Sequence, residues 1–273
     1  MQKLVRLIIS CLLIFIAIRC APLRDSPYSS HILRDERDLN NLNIAALSDI
    51  DADTQMVIAV FADSHQNYRK LRNTISHINR TPFVDFVVNL GDATNKGTNM
   101  EYDHFAKAYE EIRRPKFSVP GNHDTIGAGL FLFEQIFGPL NFYFESASHR
   151  FIFFNSNNWE TPLHFNSLWL RDTVSASTKP VLIFSHIGLA DAERFSNGDG
   201  EIFSEILNDP KVRLTVHGHN DGQRVYSVSG TWTVQTPRIG SLGWILLKIQ
   251  GNDLSVSLPQ SGLTSWYTLK SGF

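Results

Sequence analysis

Five short strand-like runs constrain this chain more than any other feature: Val57–Phe61, Phe83–Leu90, Lys116–Pro120, and the apolar cores of "PVLIFSH" and "VRLTVHGH". Apolar runs of this length without polar alternation are strands covered on both faces. Between the first three lie stretches with helical spacing, Leu71, Ile75 and Ile78, then Phe105, Ala108, Tyr109 and Ile112. Strand, helix, strand, helix, strand is the rhythm of an α/β layer. From Phe142 the pattern changes to paired strands: "NFYFE" with "RFIFFNS" around "SASH", "RVYSVSG" with "TWTVQT", and "GWILLKIQGNDLSVSL" turning at Gly251-Asn252-Asp253. "SLWLRDTV" predicts a further helix, and the aromatic runs "FLFEQIF", "FYF" and "FIFF" read as core packing.

The start of the chain has a different character. Lys3 and Arg6 precede Leu7–Ile18, an apolar run broken only by Ser10 and Cys11. The run is short for a membrane span and suits a signal segment, although Arg19 before Cys20 fits a lipidation site poorly. Residues 1–20 are therefore expected to be a signal peptide or N-terminal membrane anchor, which places the body outside the cytoplasm as a secreted, periplasmic or anchored protein. Residues 21–53, with "SPYSS" and "RDERD", read as a polar tether carrying a short helix near Ile44–Leu47, and residues 54–273 as one domain. Both cysteines, Cys11 and Cys20, precede that domain, so it has neither a disulfide nor a thiolate metal site. A formal net charge of −2 offers no basic field for nucleic acid.

The residues immediately after each strand are the informative ones. Asp63 and His65 come after the first, Asp92 after the second, and Asn122, His123 and Asp124 after the third. His186 ends the fourth, and His217, His219 and Asp221 close the fifth at alternate positions, which in an extended chain share one side. In open α/β sheets ligands bind beyond the carboxyl ends of the strands. Asp-x-His and Gly-Asp are each common in ordinary turns, so the ordered combination carries the argument. Oxygen and imidazole donors without sulfur suit Mn, Zn or Fe, and about seven ligands suit two ions sharing a carboxylate.

Asp63-Ser64-His65, Gly91-Asp92, Gly121-Asn122-His123-Asp124, His186 and Gly218-His219 resemble, in order, the motifs of the calcineurin-like metallophosphoesterases. The resemblance implies a four-layer αββα sandwich, two mixed β-sheets flanked by helices, with a dinuclear centre that hydrolyses phosphate esters. It implies that Asp63 and His65 bind the first metal, that Asp92 bridges, and that Asn122, His186 and His219 complete the second. His123 would contact the phosphate and help protonate the leaving group, held by Asp124. A metal-bound hydroxide would attack directly, since no Gly-x-Ser-x-Gly elbow or P-loop is present.

The departure from the family pattern is Asp221, which stands where the last histidine of Gly-His-x-His is usual. Three roles are open to it: an oxygen ligand to the first metal, which is preferred; a side chain too short to reach, leaving that metal weak; or a bystander replaced by His217. As a ligand it would add a third carboxylate and favour Mn or Mg over Zn. The rival function is an exported protein that keeps the metal-binding fold but is catalytically weak or silent. "RFSNGDG" reads as a mobile loop over the site with Arg194 solvated, and His77, His104, His149 and His164 as surface residues.

Overall fold

Strand β1 (Met56–Phe61) is buried at every position because its alternate side chains enter two different cores. Ile58 and Val60 face a second sheet, whereas Val57, Ala59 and Phe61 face a layer of helices. This two-sided burial is what an unbroken apolar run encodes. The protein, a computed structural model, is described over residues 26–35, 37–47, 55–196, 198–240, 243–259 and 266–269. The leader assigned to residues 1–20, with Cys11 and Cys20, lies outside these. No helix among the described residues is long and apolar enough to cross a membrane.

Helix α1 (Leu39–Ala46) precedes β1, and α2 (Tyr68–Arg80), β2 (Phe86–Asn89), α3 (Asn99–Tyr109) and β3 (Lys116–Ser118) come after it. A 3₁₀ turn at Asn122–Thr125 and α4 (Gly129–Phe137) lead to the antiparallel pair β4 (Phe142–Glu145) and β5 (Arg150–Phe154). Next come α5 (Ser167–Ser175), β6 (Val181–Ser185), α6 (Gly198–Asn208) and β7 (Val212–His217). The chain closes with β8 (Arg224–Val228), β9 (Thr231–Gln235), β10 (Trp244–Gln250), β11 (Asp253–Ser257) and β12 (Trp266–Leu269).

The strands form two six-stranded mixed sheets, ordered β12-β11-β10-β1-β2-β3 and β4-β5-β6-β7-β9-β8. Within the first, β1, β2 and β3 are parallel; within the second, β5, β6, β7 and β9 are. The central core between the sheets joins Ile58, Val60 and Phe86 to Phe151, Phe153 and Leu214. A second core joins the first sheet to α2, α3 and α4, and a third joins the other sheet to α5 and α6. Helix, sheet, sheet, helix is the four-layer α/β sandwich expected from the sequence. At roughly 1.5–3 kcal/mol per fully buried large apolar side chain, these three cores fix the positions of the strand ends.

Several local expectations are corrected. Strand β2 begins at Phe86, not Phe83, which is 77% exposed with φ 61°. "NGDG" belongs largely to α6, and Arg194 is buried, with its guanidinium stacked on the Trp159 ring and paired with Glu160. His149 is buried too, whereas His77, His104 and His164 are exposed. Residues 26–35 and 37–47, read as part of a tether with a short helix near Ile44–Leu47, pack on the domain, and the helix spans Leu39–Ala46. Asn40 is fully buried, and its side chain pairs with the N–H (2.9 Å) and C=O (3.0 Å) of Ser118, the last residue of edge strand β3. It thus acts as the missing neighbour strand.

Candidate metal centre

The parallel strands of both sheets release their chains at one edge of the sandwich, and backbone bonds lock the released loops together. Asp63 N–H donates to Gly91 O, His65 N–H to Asp92 O, and Gly218 N–H to His186 O, all at 2.9–3.0 Å. The loops after β2 and β3 touch where Gly91 and Gly121 meet. A Cβ on Gly121 would lie 2.2 Å from Asp92 N and Oδ1, so no side chain fits there. Asp63 (φ 56°), His65 (44°), Asp92 (51°) and His219 (67°) all adopt the left-handed region. Each such conformation costs on the order of 1 kcal/mol, and its repetition here marks a site where geometry has been favoured over comfort.

The side chains so placed converge. One ligand-type atom from each of Asp63, His65 and Asp92 lies within 4.8 Å of the others, and the same holds for Asp92, His186 and His219. Asp92 belongs to both groups. Its Oδ2 lies 3.8 Å from His65 Nε2, while its Oδ1 lies 3.5 Å from His186 Nε2. Asn122 joins the second group, with Oδ1 3.0 Å from His186 Nε2, and His219 Nδ1 is 3.2 Å from that same nitrogen.

The tautomers make this convergence informative. His186 Nδ1–H donates to Leu90 O (2.8 Å) and His65 Nδ1–H to Thr94 O (3.1 Å), which leaves each Nε2 as a lone pair. The lone pair of His186 faces an amide oxygen and a carboxylate oxygen, acceptors with no proton to share, and the ring nitrogen Nδ1 of His219 beside them. Electrostatics point the same way. Burial pushes the Asp63 carboxyl up to about 7, against the bond from His219 N–H and the charge of Arg238. Burial, then the charges of Asp124 and Asp63, raises Asp92 well above the usual carboxylate range. Burial lowers His186 and His219, helped by the charge of His219 on the one and of Arg194 on the other, and lowers His65 with help from His123. Two buried carboxyls resist ionising and three imidazoles resist protonation, so a divalent cation among them would offset both costs. The residues present therefore fit divalent cations, in two donor groups that share Asp92.

Around the donors, His123 N–H donates to Asp92 Oδ1 (2.9 Å) and His219 N–H to Asp63 Oδ2 (3.1 Å). Asp124 does not hold the His123 ring, contrary to the expectation from the sequence. Its oxygens accept from Gly121, Ala93 and Thr94 N–H and from Thr94 Oγ1, so it clamps the β2 and β3 loops together. The His123 ring is turned instead by Asn95, whose carbonyl lies 3.0 Å from Nδ1.

The fifth-strand ligands part company. β7 ends at His217, and the positive φ of His219 breaks the alternation that would put His217, His219 and Asp221 on one side. His217 is buried, with Nδ1 3.0 Å from Gly218 O and Nε2 3.1 Å from Tyr226 Oη, away from the donors. Asp221 belongs to neither donor group. Its side chain is 76% exposed, and its Oδ1 lies 3.1 Å from Arg238 Nη1. Arg238 lines an open cleft of about 1000 Å³ together with Asp63, His65, His123 and Asp221. The sequence does not single it out, because "TWTVQT" reads only as half of a hairpin.

Residues 56–220 match the family model for the calcineurin-like phosphoesterases. A segment of 59 residues is 41% identical to a probable glycerophosphodiester phosphodiesterase of Arcobacter nitrofigilis, covering 21% of this chain and 22% of that one. A probable cyclic nucleotide phosphodiesterase of Vesicomyosocius okutanii is 26% identical over 152 residues, 56% of this chain and 57% of that one. The matches thus span less than two thirds of these relatives' lengths. Among solved structures, a dimetal phosphatase from Danio rerio is similar with TM-score 0.64 at 14% identity, covering 81% of this chain and 100% of that one. A purple acid phosphatase from yellow lupin is similar with TM-score 0.60 at 12% identity, covering 79% and 54%. At these identities the likeness is one of fold.

Proposed function

Because the chain belongs to the calcineurin-like phosphoesterase family, we propose that it is a metal-dependent phosphoester hydrolase with a dinuclear centre. The observation that carries this reading is the convergence of lone pairs on Asp92 from both sides, His65 Nε2 at Oδ2 and His186 Nε2 at Oδ1. Asp63, His65 and Asp92 would hold one divalent cation, and Asp92, Asn122, His186 and His219 the other. Held there, divalent cations would supply Lewis acidity toward the phosphoryl oxygens and toward a water. A donor set of oxygen and imidazole without sulfur favours Mn, Fe or Zn.

The protein's own groups do the rest. His123 lines the cleft, and the bond from Nδ1 to Asn95 O leaves its Nε2 for the substrate. In the imidazolium form that nitrogen hydrogen-bonds the phosphate and delivers a proton to the departing oxygen. Asp124 and Thr94 keep the two loops in register, so that Asp92 and His123 hold their spacing. The relatives named phosphodiesterases support a phosphoester as the substrate.

The test uses the full chain with a chromogenic aryl phosphate monoester and diester. Hydrolysis of at least one is expected with added Mn²⁺, abolished by EDTA and restored by Mn²⁺. Absence of metal-dependent hydrolysis of both would refute the proposal.

A further inference from the structure

Strand β9 pairs with β7 in parallel, so a sixth strand end reaches the edge where the donors stand. Beyond it, Thr236 N–H donates to His217 O at 2.7 Å, and Arg238 forms a parallel bridge with Ala62. Ile239 N–H donates to Ala62 O at 3.1 Å, which seals that bridge. The Arg238 backbone is therefore fixed beside the residue that precedes Asp63. Its guanidinium lines the cleft and is near enough to Asp63 and His65 for its charge to act on both.

Asp221 is aimed at this group. Gln235 Nε2 lies 3.0–3.3 Å from the carbonyl oxygens of Asn220, Asp221 and Gly222, which holds the turn, and Asp221 Oδ1 then sits 3.1 Å from Arg238 Nη1. A guanidinium carries five N–H donors in a planar fork that matches the oxygens of a phosphate. Half-exposed ion pairs are weak, so a phosphate bound at the centre can share or take over this guanidinium.

We infer that Arg238 is a substrate-binding residue whose guanidinium contacts the non-bridging oxygens of the scissile phosphate on the Asp63 and His65 side, with Asp221 as its positioning residue. The inference rests on the hydrolase reading above. It also gives the departure at position 221 a purpose: the carboxylate orients an arginine where the family pattern has a ligand.

The experiment measures binding of inorganic phosphate to the Mn²⁺-loaded full chain by calorimetry, with manganese content determined on the same samples. Arg238→Ala should weaken phosphate binding about tenfold or more. It should raise KM for an aryl phosphate by a similar factor, change kcat less, and leave manganese content unaltered. Arg238→Lys should recover part of the loss. Asp221→Ala should shift phosphate affinity in the same direction by less, and the double variant should be no worse than Arg238→Ala. Phosphate affinity unchanged in Arg238→Ala, or lost only in step with manganese, overturns the inference; so does loss of manganese from Asp221→Ala, which would make Asp221 a ligand. A wild type that binds phosphate through Arg238 but hydrolyses no ester defeats the hydrolase reading alone. A wild type that hydrolyses esters while Arg238→Ala binds phosphate normally defeats this inference alone.

Discussion

His217 and His219 stand two residues apart, yet one is packed against Tyr226 and the other reaches the donor cluster. The sequence spacing could not separate them, because alternation holds only while the chain stays extended, and His219 turns left-handed. Burial holds the His217 imidazole down at about 4, below the 6.5 of an unconstrained histidine. The folded state then binds fewer protons than the unfolded one between those values, so this contribution is intact above pH 6.5 and is lost as pH falls toward 4. The full loss is roughly 3 kcal/mol. Metal-free His217→Gln should therefore lose less stability than wild type between pH 7 and pH 4.5 in chemical denaturation, and equal losses would contradict this. Asp63, raised by burial, acts in the opposite sense, but it is common to both proteins and drops out of the comparison. The donor residues were legible in sequence because carboxylates and imidazoles directly after apolar runs are chemically conspicuous. Arg194 and His149 were not, since nothing local says that a charged or polar side chain will be buried.

At the level of elements, strands buried on both faces announce themselves, and the hairpins β8–β9 and β10–β11 follow from their turn residues. The parallel pairing of β9 with β7 has no local signature, which is why the sequence does not point to Arg238. The sequence predicts a short helix near Ile44–Leu47 but not its docking: the polarity of this segment suggests a tether, whereas helix α1 (Leu39–Ala46) packs on the domain and its buried Asn40 takes the place of a β-strand neighbour. Replacing Asn40 by Ala would leave the Ser118 N–H and C=O without partners at a buried sheet edge. This should cost about 2 kcal/mol in chemical denaturation. A loss below about 0.5 kcal/mol would mean that the edge is satisfied some other way.

Across the whole molecule, the sandwich brings the carboxyl ends of parallel strands from two different sheets to a single edge. Asp63, Asp92 and Asn122 come from one sheet, and His186 and His219 from the other. Asp92, placed in a left-handed turn against Gly121, faces donors from both. The centre thus depends on the packing of the two sheets, and Asp92 is the residue whose loss should undo it. The decisive measurement is the manganese content of the purified full chain, wild type against Asp92→Asn, alongside Mn²⁺-dependent hydrolysis of an aryl phosphate. Wild type should retain close to two ions per chain, and Asp92→Asn should retain no more than about one with hydrolysis abolished. Two ions retained with substantial turnover in Asp92→Asn would contradict a centre bridged by Asp92.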